Sequence, residues 1–293
     1  MITIFTPTYN RAYKLPALYN SLLQQTDTNF EWIVVDDGSE DNTAELVNRW
    51  IADTKSFQIR YYYQANSGKH VAINYAVKKA NYDWFFIVDS DDFLTRDAVA
   101  LVHEWISTVD TSTIATVAGI SCYPDGKVIG QCGVKDCQYL DARNNERRKF
   151  RLLGDKAEVY RTDILKQFPF PEFPGERFLS EGAVWDAIAI AGYKIRWFPN
   201  PIKVCEYLDD GLSAQIQRDN LEVRNFEGCT YYTLTEIQAH TGIDKLRVIC
   251  QYINKARKKG LSLCEISEKI HISRAVCYFL VMCVCIKNLC KNR

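Results

Sequence analysis

Asp89-Ser90-Asp91-Asp92 is the segment of this chain best equipped to do chemistry. It follows Trp84-Phe85-Phe86-Ile87-Val88, a continuous apolar run of the kind that forms a strand buried on both faces. Carboxylates that leave such a strand together have little room to reach solvent, and like charge concentrated in this way needs a cation. Hard carboxylate oxygens suit Mg2+ or Mn2+, which bind one or two protein carboxylates and complete their shell with water and substrate phosphates. A competing reading is a helix cap, because Asp91 or Asp92 can satisfy free amides of the helix carrying Ala98, Leu101, Val102 and Trp105.

Two more polar clusters pose similar questions. In Asp36-Asp37-Gly38-Ser39 a short acid at a strand end can accept hydrogen bonds from a nucleotide's base or ribose, although Asp-Gly is also an ordinary turn. Asn66-Ser67-Gly68-Lys69-His70 places a glycine, a cation and a histidine at a helix start, a position suited to phosphate. The alternative for Lys69 is a solvated helix terminus. No GxxxxGK[ST] pattern is present, which disfavours a nucleotide-hydrolysing P-loop.

These clusters must be positioned by regular elements. Residues 2–5 are apolar and are followed by Leu15, Leu18 and Leu22 at helical spacing; residues 32–35 precede a helix bearing Ala44, Val47 and Ile51, with Ser39 or Asp41 as its expected cap. Residues 59–63 form a third strand, then comes a helix with Ile73, Ala76, Val77 and Ala80, and then the strand that ends in the acids. Alternation of this kind predicts an α/β fold with a mostly parallel central sheet and helices on both faces. Ligands of such sheets sit beyond the carboxyl ends of the strands, so Thr6-Pro7-Thr8-Tyr9-Asn10 and the acid clusters should converge on one edge. Further on, Tyr123-Pro124-Asp125-Gly126 signals a hairpin, residues 186–192 a helix, 195–198 a strand, and the pattern from about 216 is helical.

The 293 residues can bury a large core. With 36 basic and 36 acidic residues the net charge is zero, which leaves no global field for nucleic acid. The start, MITIFTPTYNR, lacks the pattern of a secretory leader, so a cytoplasmic protein is expected. Eleven cysteines without CxxC spacing read as reduced thiols. Cys122, Cys132 and Cys137 come nearest to a cluster but have no histidine nearby, and ordinary packing is preferred to zinc.

In order along the chain, Thr-Pro-Thr-Tyr-Asn-Arg, Val-Val-Asp-Asp-Gly-Ser, Asn-Ser-Gly-Lys-His-Val-Ala-Ile-Asn and Val-Asp-Ser-Asp-Asp resemble the family 2 glycosyltransferases, most strongly over the first 110 residues. That resemblance implies a GT-A fold and transfer of a sugar from a nucleotide-diphospho-sugar, with UDP the expected nucleotide. It implies that Pro7, Tyr9 and Asp37 surround the base and that Lys69 lies near the donor phosphates. Asp89 and Asp91, with Ser90 between them, correspond to the metal-binding DxD, and Asp92 is a neighbour that assists through the sugar or a water.

The second half resembles the family less sharply. Gly154-Asp155-Lys156-Ala157-Glu158 and the segment around Glu181 look like the bacterial branch in which a carboxylate near this point is the base, but the common Glu-Asp pair is Glu181-Gly182 here. Glu181 is the expected base of an inverting single displacement and Asp186 the second choice. Glu206, Asp209 and Asp210 either close the site or form a turn. The expected organisation is a glycosyltransferase domain over 1–215, its nucleotide-sugar half at 1–110 and its acceptor half at 111–215, with a C-terminal helical region over 216–293. In that region residues 275–286 are apolar, with Lys287, Lys291 and Arg293 beyond and Lys255, Arg257, Lys258 and Lys259 before them. Twelve residues are too few to span a bilayer, which leaves an interfacial helix at the inner membrane face or a buried helix. The former suits a lipid-linked rather than a free saccharide acceptor in surface polysaccharide or glycolipid synthesis. A nucleotidyltransferase and a non-catalytic nucleotide-sugar-binding protein are the rival readings.

Overall fold

The computed structural model describes residues 1–134, 138–208 and 211–291. Cys137, Asp209, Asp210 and Arg293, named above, lie outside the described residues, as do the side chains of Lys287 and Lys291. The chain begins with β1 (Ile2–Thr8), α1 (Leu15–Leu23), β2 (Phe30–Asp36), α2 (Thr43–Asp53), β3 (Gln58–Tyr63), α3 (Lys69–Lys79) and β4 (Trp84–Ile87). In this half every strand pairing is parallel, in the order β3-β2-β1-β4.

Side-chain alternation with period two sends residues to both faces. Ile2, Ile4, Trp32 and Val34 pack with Leu18 of α1 and Val47 and Trp50 of α2. Phe5, Ile33 and Val35 face the opposite way, onto Ile73 and Val77 of α3. On the first face Trp50 stacks on Tyr19 with ring centroids 4.2 Å apart, a contact worth about 1 kcal/mol beyond its buried area.

Beyond β4 the sheet is mixed. It continues through β8 (Lys156–Arg161), β6 (Ile114–Cys122), β9 (Lys194–Cys205) and β5 (Asp92–Leu94), while β7 (Leu140–Ala142) pairs with β9. Strand β8 is antiparallel to both neighbours, and β9 is parallel to β6. The sequence reading ended the last strand at 198, before Pro199. In the structure β9 continues, and its register against β6 shifts between Ala118 and Ile120, opposite Trp197 and Pro201, where the prolines have no N–H to give the ladder. Past that shift, β9 pairs through Lys203, Val204 and Cys205 with β5. The expected hairpin exists as a turn at Tyr123 to Gly126 closed by a single Cys122–Val128 bridge.

Helices α4 (Ala98–Ser107), α5 (Thr162–Gln167) and α6 (Gly182–Ile190) complete the two faces. The C-terminal part is helical: α7 (Leu212–Arg218), α8 (Leu221–Arg224), α9 (Phe226–Ala239), α10 (Gly242–Lys258), α11 (Leu263–Lys269) and α12 (Arg274–Lys291). It holds its own core of Phe226, Ile249, Tyr252, Ile253, Ile266 and Leu280, and α9 lies against α6. Among the described residues no helix is long and apolar enough to cross a membrane. Among the described residues Cys122, Cys132, Cys205, Cys229, Cys264 and Cys277 form no disulfide.

Candidate active site

The carboxyl ends of β1, β2 and β4 open onto a cavity of about 780 Å³. Pro7, Tyr9, Asp37, Lys69, Asp89, Ser90, Asp91, Asp92 and Glu181 all line it. Hydrogen bonds from backbone amides draw the loops together: Asp37 N donates to Thr8 O at 2.8 Å, Asn10 N donates to the Ser39 side-chain Oγ at 2.8 Å, and Val88 N donates to Phe5 O at 2.9 Å.

Asp37 is buried and braces a loop. Its Oδ1 accepts from Gln64 Nε2 at 2.7 Å and Ser67 N at 2.8 Å, and its Oδ2 accepts from Gly68 N at 2.8 Å. That loop presents Lys69 at the first position of α3. Gly68 has φ +99°, and a Cβ there would sit 2.1 Å from Arg177 O, so only glycine lets the two backbones approach this closely. His70, next along, is buried; burial lowers its pKa, and its Nδ1 has no hydrogen-bond partner among the described residues.

Lys69 Nζ lies 2.6 Å from Asp89 and 2.6 Å from Glu181. Burial works against its charge, but the two carboxylates more than offset this and raise its pKa. The acid tetrapeptide is not a helix cap: α4 starts at Ala98 and Asp92 already belongs to β5. Burial and the neighbouring Asp89 both push the pKa of Asp91 up. This is the electrostatic situation a divalent cation relieves, and the donor atoms present are hard oxygens, so Asp89 and Asp91 fit a magnesium- or manganese-class ion.

Asp92, expected to assist through the sugar or a water, faces Lys203 Nζ at 3.0 Å, and Lys203 also meets Asp155 at 3.2 Å. Lys203 is buried; burial disfavours its charge, yet Asp92 and Asp155 hold its pKa well above the usual range. Asp92, Asp155 and Cys205 bring their donor atoms within 4.8 Å of one another, but Lys203 already supplies the cation there. Sequence reasoning missed Lys203. The available signal was a lysine between Ile202 and Val204 in an otherwise apolar stretch. Deeper in the cavity Glu158 pairs with Arg147 at 3.4 Å, and burial outweighs that partner and pushes its pKa up to about 7.

The arrangement thus sets a pair of cation-seeking carboxylates, a lysine and a carboxylate base candidate around one cavity that is large enough for a nucleotide and a sugar. Residues 3–167 match the family model described as glycosyl transferase family 2. The chain belongs to glycosyltransferase family 2. Chondroitin synthase of Pasteurella multocida is 31% identical over 129 residues, which is 44% of this chain and 13% of that protein. This chain's matches span less than half the length of the curated relatives. Among solved structures, S. aureus TarS 1–349 in complex with UDP-GlcNAc superposes with a TM-score of 0.63 at 18% identity, over 88% of this chain and 72% of that one. A mannosyltransferase of Pyrobaculum calidifontis, in complex with GDP-Man and Mn2+, gives 0.59 at 18% identity over 97% and 79%. These likenesses establish the fold as the GT-A type expected from the sequence.

Where the family commonly has Glu-Asp this member has Glu181-Gly182, and the structure gives a reason. A Cβ at Gly182 would lie 2.6 Å from Tyr232 Oη of α9, so the aromatic side chain takes the space an aspartate would use. Glu181 stands at the N-terminal boundary of α6 without capping it and reaches Lys69 instead. Asp186, the second choice as base, does not line the cavity; it is buried behind α6 and accepts a hydrogen bond from Asn144 Nδ2 at 2.8 Å. Glu206 lines the cavity wall and pairs with Lys14 at 2.7 Å. Helices α7 and α8 add Leu212, Gln215, Ile216 and Leu221, so the helical region helps to form the site.

Proposed function

We propose that this family 2 member is an inverting, metal-dependent glycosyltransferase that moves a sugar from a nucleoside diphosphate, with UDP preferred, to a saccharide or lipid-linked acceptor. The observation that carries this reading is Lys69 between Asp89 and Glu181, which unites a cation site, a phosphate ligand and a base across one cavity. Asp89 and Asp91 would hold Mg2+ or Mn2+, which supplies charge neutralisation for the departing nucleoside diphosphate. Pro7, Tyr9 and the Asp37-braced loop bind the base and ribose. Ser90 lies at the donor, and Lys69 turns to the donor phosphates. Glu181, released from Lys69 as the phosphates take over that lysine, accepts the proton of the acceptor hydroxyl while the hydroxyl oxygen attacks the anomeric carbon. Asp92 acts through Lys203 and Asp155, holding the floor beneath the acids.

The nucleotide-sugar complexes of TarS and of the mannosyltransferase support a nucleotide-sugar donor, and the manganese in the latter supports the metal. Likeness to chondroitin synthase supports a polysaccharide-type acceptor. We further propose that residues 1–215 carry the transfer chemistry and that 216–293 shape the acceptor side from the cytoplasmic face of a membrane. Helix α12 buries Cys277 and Leu280 but exposes Val276, Tyr278, Phe279 and Met282, which supports peripheral contact.

The test is nucleoside diphosphate release from UDP-, GDP- and dTDP-sugars with manganese or magnesium, with and without acceptor extracts. Metal-dependent release from one donor is the expected result. Tight donor binding with no release under any of these conditions would instead identify a non-catalytic nucleotide-sugar-binding protein.

A further inference from the structure

Behind α6, away from the cavity, Asp186 meets Glu236 and His240 of the α9 end, and one donor atom from each lies within 4.8 Å of the others. Glu236 lies in the last turn of α9, and His240 is the residue just past its end, where the backbone turns extended. Asp186 faces them from α6. Asp186 is buried, and burial raises its pKa against the pull of Asn144, His240 and Arg147; burial and then the charge of Asp186 push Glu236 up to about 7. The nearby cations are engaged elsewhere: Arg147 with Glu158 at 3.4 Å and Lys255 with Glu222 at 2.8 Å. This distinguishes the cluster from Asp92 and Asp155, which have Lys203 between them.

A fourth donor group stands beside the three. The Asn144 amide donates through Nδ2 to Asp186, while its Oδ1 is buried and has no hydrogen-bond partner among the described residues. A half-turn of that amide exchanges the two ends and presents the carbonyl oxygen to the cluster.

We propose that Asp186, Glu236 and His240, with the Asn144 amide as a fourth donor, form a second divalent-metal site of the zinc class that fastens α9 to α6. One imidazole nitrogen and two carboxylates are a borderline-to-hard donor set, which suits zinc and its spectroscopic substitute cobalt. Donors around a tetrahedral zinc at about 2.0–2.1 Å stand roughly 3.3 Å apart, a contraction from the observed spacing that side-chain torsions supply. The site adjoins the segment that carries the proposed base: Tyr232, one turn before Glu236, packs over Gly182, where a Cβ would lie only 2.6 Å from its Oη, and feels both Glu236 and Ser180, the residue before Glu181. A metal here therefore fixes the helix whose N-terminus carries the proposed base.

The experiment uses the full chain carrying Asp89→Asn and Asp91→Asn, which removes the donor-metal carboxylates, and titrates it with cobalt(II) under reducing conditions. One equivalent should bind with visible d–d absorption and no thiolate charge-transfer band, and zinc should displace it. Saturating zinc at about a hundredfold over its Kd should raise Tm by about 5 °C. Adding Glu236→Gln or His240→Gln should abolish binding, and Asn144→Ala should weaken it about 10- to 100-fold. Far-ultraviolet circular dichroism establishes that each variant is folded. The proposal is overturned if no saturable binding occurs, if a thiolate band shows that cysteines hold the ion, or if folded Glu236→Gln and His240→Gln proteins bind as before.

Discussion

The tetrapeptide Asp89-Ser90-Asp91-Asp92 divides between two environments. Asp89, with a side chain 35% exposed, faces the cavity and is met by Lys69 from the start of α3; Asp92, with a side chain 8% exposed, is held by Lys203 from the next strand over. The first acid can exchange its cation for another. The second has its cation built into the sheet. Acids three residues apart are thus paired in two ways, and the ligand-binding role proposed for the first and the framework role of the second follow from burial rather than residue type.

The sharpest way to break this contrast is Asp91→Ala. Turnover of the donor should fall by about 10³-fold or more, with metal dependence lost and thermal stability nearly unchanged. Glu181→Gln should lower turnover by about 10²- to 10⁴-fold while donor Kd changes little, as single-turnover assays beside equilibrium binding would show. Asp92→Asn should do the reverse. It removes one of two partners from a buried ammonium and should cost about 3 kcal/mol in urea unfolding, the low end for a broken buried pair because Asp155 stays. Donor turnover should remain within about tenfold of the native chain. A large loss of activity without loss of stability would return Asp92 to the sugar.

Glu158 gives the smallest effect and depends on pH. Its folded pKa of about 7 is above that of an ordinary glutamate, so the folded chain binds its proton more tightly than the unfolded one. The associated stability is complete below the unfolded pKa and is lost as pH rises through about 7. Glu158→Gln, which mimics the protonated form, should therefore lose less stability than the native chain between pH 5 and pH 8, by about 2 kcal/mol in parallel urea titrations.

The parallel half was legible because β1, β2 and β4 each carry a short apolar run and a polar cluster follows each of the three directly. Asp37, Asp89 and Asp91 were placed at a common edge by topology alone, whereas Lys69 was read as a helix-start cation and brought to the donor phosphates by the family resemblance. The mixed half was harder to read because pairing there is long-range. β9 crosses two prolines, and nothing local in Lys203 shows that it will lie under Asp92. Asp186 was kept as the second choice of base, but the sequence could not tell that α9 would cover it. Gly182 looked like a departure from a motif until Tyr232, fifty residues on, was seen beside it.

The carboxylate of Asp37 also bears on what donor binding costs. Residues 64–68 are coil, and ordering free coil costs about 1–2 kcal/mol per residue in backbone entropy. Here Gln64, Ser67 and Gly68 already donate to a buried acceptor, so that entropy is lost when the chain folds rather than when the nucleotide arrives. The Ser67 and Gly68 amides should consequently exchange with solvent far more slowly than loop amides do, before any ligand is added.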